Sequence, residues 1–150
     1  MGRQFYYADI EQISRLTREI QQWNLSIPAA LNLSDAELLR RVYNGIGPDA
    51  WSAILREVCT KMLERFEPEA LIHDWEYTFQ PKDYLHFTAA NMRFVWNAMI
   101  CAVRSGKDTR GILMQTGIGC TLALLCQLFG WKEYQTASIE AEKTNRKDLK

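Results

Sequence analysis

The sequence predicts an all-α fold: one compact helical bundle over residues 1–150, with two central antiparallel helices carrying a His-Asp-x-x-Tyr site. Three observations carry that prediction. Apolar residues recur at offsets of three, four and seven in successive segments, the period of helices with one buried face. Proline, glycine and capping residues separate those segments at helix-length intervals. No run alternates polar and apolar residues as a half-buried strand does. At 150 residues, 47% hydrophobic and 24% charged, the chain can bury a core without disulfides or metals.

The first helix is expected from a cap at Asp9 to about Trp23, with Ile10, Ile13, Leu16, Ile20 and Trp23 on one stripe. Pro28 then interrupts the segment 24–34. Ser34 followed by Glu37 reads as a capping box opening a short helix with Leu38, Leu39 and Val42. After the turn Asn44-Gly45-Ile46-Gly47-Pro48, Asp49 caps a third helix to Phe66, with an apolar stripe from Trp51 through Met62. Pro68 opens a fourth helix at its first position and Pro81 ends it. A fifth helix, Tyr84 to Arg104, is apolar around most of its circumference and is expected to be central. From Gly111 to Trp131 no residue is charged, a length that permits a membrane span. Gln115, Thr116, Thr121 and Gln127 favour a buried helix instead, broken near Gly117 or Gly119. The tail is expected to fray after a final helix.

Lys plus Arg and Asp plus Glu number 18 each, so no global field favours nucleic acid. The N-terminus lacks the apolar core of a secretory signal, and Tyr6 stands where a myristoylation motif needs Ser or Thr. Synthesis in the cytoplasm is the expectation. Cys59, Cys101, Cys120 and Cys126 are scattered without histidine partners, which suits buried free thiols better than zinc or disulfides.

His73, Asp74 and Tyr77, with Ala70, fall within one arc of the fourth helix. Taken alone, this group suits a satisfied polar cluster in the core as well as a reactive site. In Tyr43-Asn44-Gly45-Ile46-Gly47 the two glycines permit positive φ and close approach, fitting a plain turn or a loop aiming its backbone at an ion.

In that order, these pieces resemble the phospholipase A2 superfamily, and more narrowly its disulfide-free form in parvovirus capsid proteins. Tyr43-x-Gly45-x-Gly47 looks like the family's calcium loop, and His73-Asp74-x-x-Tyr77 like its catalytic signature. The stretch from Tyr84 to Asn91 is similar to the segment that follows in the viral form, with asparagine where the family has aspartate. The similarity covers residues 43–95 and defines a core of about 43–104. It implies Ca2+-dependent hydrolysis of the sn-2 ester of glycerophospholipids at a membrane surface, after release or delivery. A phage association follows by analogy with the viral form.

His73 would be the general base, braced through Asn91 by Tyr77, and the Gly45 amide would help stabilise an oxyanion. Asp74 and the carbonyls of Tyr43, Gly45 and Gly47 would hold the calcium. Asn91 brings no charge to an imidazolium and can present either its oxygen or its NH2, so the expected activity is weak unless another carboxylate such as Asp83 substitutes. The alternative is a catalytically inactive helical binding or structural protein on the same scaffold. His86 reads as a packing or surface residue.

Overall fold

The computed structural model describes residues 8–43, 45–46, 60–61, 63–105 and 108–137, and these are helical with no strand among them. Helix α1, Ile10–Gln22, starts where Asp9 accepts the Gln12 amide at 2.7 Å and buries Ile13, Leu16 and Ile20. It ends in a motif not expected from the sequence. Asn24 turns left-handed (φ 53°), which lets the Asn24 amide reach the Gln21 carbonyl and the Leu25 amide reach that of Ile20.

Helix α2, Ala36–Val42, is capped one residue later than the pattern suggested. Asp35, not Ser34, accepts the Leu38 amide at 3.0 Å, while the Ser34 hydroxyl donates to Asn32 and Glu37 pairs with Arg40. A carboxylate at the cap carries full charge toward the helix N-terminus, which a hydroxyl cannot. The expected helix from Asp49 to Phe66 lies mostly outside the described residues; its last turn, Glu64–Phe66, is a 3-10 turn. That turn leads into α3, Glu67–Phe79, with Pro68 at the second helical residue rather than the first. Gln80 is extended (ψ 153°), as a residue before proline prefers, and the helix stops there.

Helix α4, Tyr84–Ser105, runs back beside α3, and α5, Thr109–Phe129, runs back beside α4. Both connections are too short for anything but antiparallel neighbours. Helix α4 is the central element, as expected, with α3 on one side and α5 on the other. Phe87, Ala90, Phe94, Ala98 and Cys101 form its buried face. In mid-helix Asn97 accepts the Ser26 amide at 2.8 Å and donates to the Ser26 carbonyl at 2.9 Å, clamping the loop after α1 to α4.

Helix α5 corrects two expectations: it is continuous, and it is mostly exposed, with only Gln115, Gly119 and Ala123 buried. Gly119 is a point of close approach rather than a break. A Cβ built there lies 2.5 Å from the Ala98 Cβ, so α4 and α5 touch almost backbone to backbone. Gly130 follows the helix, and residues 131–137 are helical again.

Because that approach leaves no room for branched carbons, Gly119→Val should force α4 and α5 apart. The expected loss is ~1–3 kcal/mol in chemical denaturation, and unchanged stability would show that the contact is not tight.

Candidate functional site

Helix α3 places His73 and Tyr77 four residues apart, facing α4. Opposite them, Asn91 presents its Oδ1 to the His73 Nε2 at 2.9 Å and accepts the Tyr77 hydroxyl proton at 3.0 Å. The Asn91 NH2 donates to Gln127 Oε1 on α5 at 2.7 Å, and Gln127 passes its own NH2 to the Tyr84 hydroxyl at 3.1 Å. The role of the ring nitrogen at this bond depends on the tautomer. With its protons turned to Gln127, Asn91 has only acceptor capacity left for the imidazole. With the amide in this orientation, the tautomer that suits the bond carries its proton on Nε2 and a lone pair on Nδ1.

The imidazole is 7% exposed, with its ring centroid 4.0 Å from Tyr77 and 5.1 Å from Phe94. Burial pushes its pKa down to about 4, the Asn91 bond opposing that only in part. His73 is neutral at pH 7. Tyr77 is pushed far above the ordinary phenol range by burial, so it stays a hydrogen-bond donor.

Tyr43, at the start of the turn, meets the first residue of α3. The buried Tyr43 donates its hydroxyl to Glu67 Oε1 at 3.1 Å and shares a core cluster with Ala70, Leu71 and Trp75. Asp74 is half-buried and seven residues after Glu67, hence on the same helix flank and roughly 10 Å further along the axis. Gly45 is buried with φ 84°, a conformation that disfavours any side chain, and the Ile46 amide donates to Thr60 at 2.9 Å. Gly47 lies outside the described residues. The structure thus brings His73, Tyr77 and Asn91 together, while Tyr43 meets α3 at Glu67, seven residues before Asp74, whose charge acts on Tyr77 and on Cys126 of α5.

Among the described residues no three His, Cys, Asp or Glu side chains converge on a metal position. Asp74 with backbone carbonyls is an all-oxygen set, which fits a hard cation such as calcium and not a soft metal. Asp83 does not stand in at His73, because its carboxylate accepts the His86 amide and lies 2.8 Å from the His86 ring. His86 is half-buried on the surface, as expected. A cleft lined by Phe66, Asp108, Met114 and Ile118 lies at the opposite end of α4 and α5 from Asn91.

Sequence reasoning missed three groups. Gln127 was visible only as one of two amides in an uncharged stretch. Glu76 is buried and 3.2 Å from Arg93, and burial raises it to about 7 against the pull of that guanidinium. Glu69 is buried with no hydrogen-bond partner for either oxygen beyond the weak Cys101 thiol beside it, and burial holds it well above its usual range.

No family model matches the chain, and no curated protein or solved structure matches it significantly.

Exchanging Asn91 for aspartate sets a negative charge against the Nε2 proton, which favours imidazolium. In Asn91→Asp the His73 pKa, read by NMR, should rise clearly above the native value of about 4. An unmoved titration would mean that the ring does not meet residue 91.

Glu69 yields a prediction with a definite sign. Its carboxyl keeps a proton in the folded chain that the unfolded chain releases near pH 4.5, so it costs stability increasingly as pH rises above that value. Glu76 adds the same slope up to about pH 7, whereas His73 opposes it only between about 4 and 6.5. Glu69→Gln should therefore raise the melting temperature at pH 8 and leave it little changed at pH 4. An equal effect at both values would refute this.

Proposed function

We propose that the chain is a phospholipase A2-like hydrolase that cleaves the sn-2 ester of glycerophospholipids with calcium and turns over slowly. The observation that carries this reading is the Tyr77–Asn91–His73 bond set, which leaves a neutral imidazole with Nδ1 as the base. In the proposed step His73 Nδ1 takes a proton from water while that oxygen attacks the ester carbonyl. The C–O bond to the glycerol carbon's oxygen then breaks, and the proton passes to the departing alkoxide, giving a fatty acid and a lysophospholipid.

Asp74, with the carbonyls of Tyr43, Gly45 and Gly47, would hold the cation, and the Gly45 amide would donate to the oxyanion. Bound calcium supplies positive charge to the carbonyl oxygen. The low His73 pKa makes a weak base, and a neutral Asn91 offers an imidazolium no charge. Both support slow turnover.

A second reading, a helical binding or structural protein without catalysis, is favoured by the near-complete burial of His73 and a network that already satisfies it.

Calcium at millimolar concentration should raise the melting temperature, by ~1–3 kcal/mol of stabilisation where the ion exceeds its Kd ten- to hundredfold, and Asp74→Asn should abolish the rise. Release of the sn-2 fatty acid from phosphatidylcholine should fall at least ~10²-fold in His73→Gln and increase in Asn91→Asp. If calcium shifts nothing and no fatty acid is released, the second reading stands in its place.

A further inference from the structure

The outer side of the α4–α5 hairpin is apolar and open. Helix α5 is long and apolar enough to cross a membrane by length and composition, yet only 17% of that stretch is buried. A core helix passing the same test would be covered, and this one is not. Leu113, Met114, Leu124, Leu125, Leu128 and Phe129 stand between 48% and 74% exposed. Alongside them, Met92, Trp96, Met99 and Val103 of α4 form an exposed stripe at offsets of four, three and four.

Three polar side chains of α5, Gln115, Thr121 and Gln127, are bonded within the protein. Gln115 is buried and accepts from Ser105, Gln127 serves Asn91 and Tyr84, and the Thr121 hydroxyl donates back to the Gly117 carbonyl. Between Arg110 and Lys132 the helix holds no charge. A surface made for a protein partner is ordinarily rimmed by polar and charged groups. Here the uncovered arc of α5 has no such rim along its length. Its chemistry is that of a hydrocarbon-facing surface.

We infer that this outer face of the α4–α5 hairpin seats flat in the upper hydrocarbon of a phospholipid bilayer, with the α1–α3 body held outside. The hairpin does not cross. The rest of the domain is fastened along the opposite side of α4 by the Asn97–Ser26 clamp and the Glu76–Arg93 pair, and crossing would drag Glu69 and Glu76 into the membrane. Tyr84 and Trp131, 5.7 Å apart at the end of the hairpin, are the aromatic pair suited to the headgroup boundary. The inference stands on exposure and charge and does not need the hydrolase reading.

Flotation of the full chain with phosphatidylcholine vesicles in EGTA tests it with hydrolysis switched off. The protein should float, and 1 M NaCl should not release it, because the face carries no charge. Lipids brominated in the upper acyl chain should quench its tryptophan fluorescence, and less so in Trp96→Phe. The triple change Leu113→Glu, Leu124→Glu, Leu128→Glu, with helicity checked by circular dichroism, should reduce vesicle binding about tenfold or more. Three outcomes overturn the inference: protein that stays unbound, a triple variant that floats equally well, or a lipid-free dimer that the triple variant dissolves while the parent ignores vesicles. The last would assign the face to a second copy of the chain. Loss of binding here leaves fatty-acid release in soluble micelles untouched, so the two readings fail separately.

Discussion

One side-chain amide, that of Asn91, joins three helices. Its oxygen receives both the imidazole of α3 and the phenol one turn away, and its nitrogen reaches across to Gln127 on α5. Every partner is at least half-buried. A buried polar atom left without a partner costs ~1–3 kcal/mol, so the orientation of each member is tied to that of the next. An aspartate in the same place would accept from His73 and Tyr77 but could donate nothing to Gln127 without holding a proton. Asparagine therefore suits the three-helix junction better than it suits the chemistry of a charged base.

Helix α4 gives that junction its position. Small residues on one side let α5 approach until Gly119 meets Ala98, while Asn97 and Arg93 on other sides bind the loop after α1 and the carboxyl of α3. The same helix that centres the fold also carries an uncovered apolar stripe. The fold is thus lopsided: most of its buried core lies toward α1–α3, and its uncovered apolar area lies on the outer face.

Much of the fold was legible because local chemistry determines helix ends. Asp9 caps, proline at 81 stops a helix one residue earlier, and the apolar spacing of α1 matches its buried face. The errors arose where competition or tertiary packing decides. Asp35 outcompeted Ser34 as a cap, and Asn24 closed α1 through a left-handed residue that no periodicity marks. Gly117 and Gly119 looked like breakers because a glycine's helix cost is visible in sequence, whereas the neighbour it admits is not. At the site, helical offsets put His73 and Tyr77 on one arc, and the resemblance pointed to Asn91 as the residue opposite. They could not show that the Asn91 amide also bonds Gln127, 36 positions further along the chain. Nor could they show that Glu69 and Glu76, on a helix with charges at several positions, are both interior.

Glu67 draws together parts of the chain that motif reading keeps separate. Its carboxylate, nearly inaccessible to solvent, receives Arg15 and Gln12 from α1 and the Tyr43 hydroxyl. Cutting the chain down to the motif-bearing stretch of 43–104 would take away two of those three donors and uncover the core that α1 closes with Ile13, Leu16 and Ile20. Helix α1 accordingly belongs to the same core as the motif-bearing helices, although it lies well before any residue that invites a functional reading.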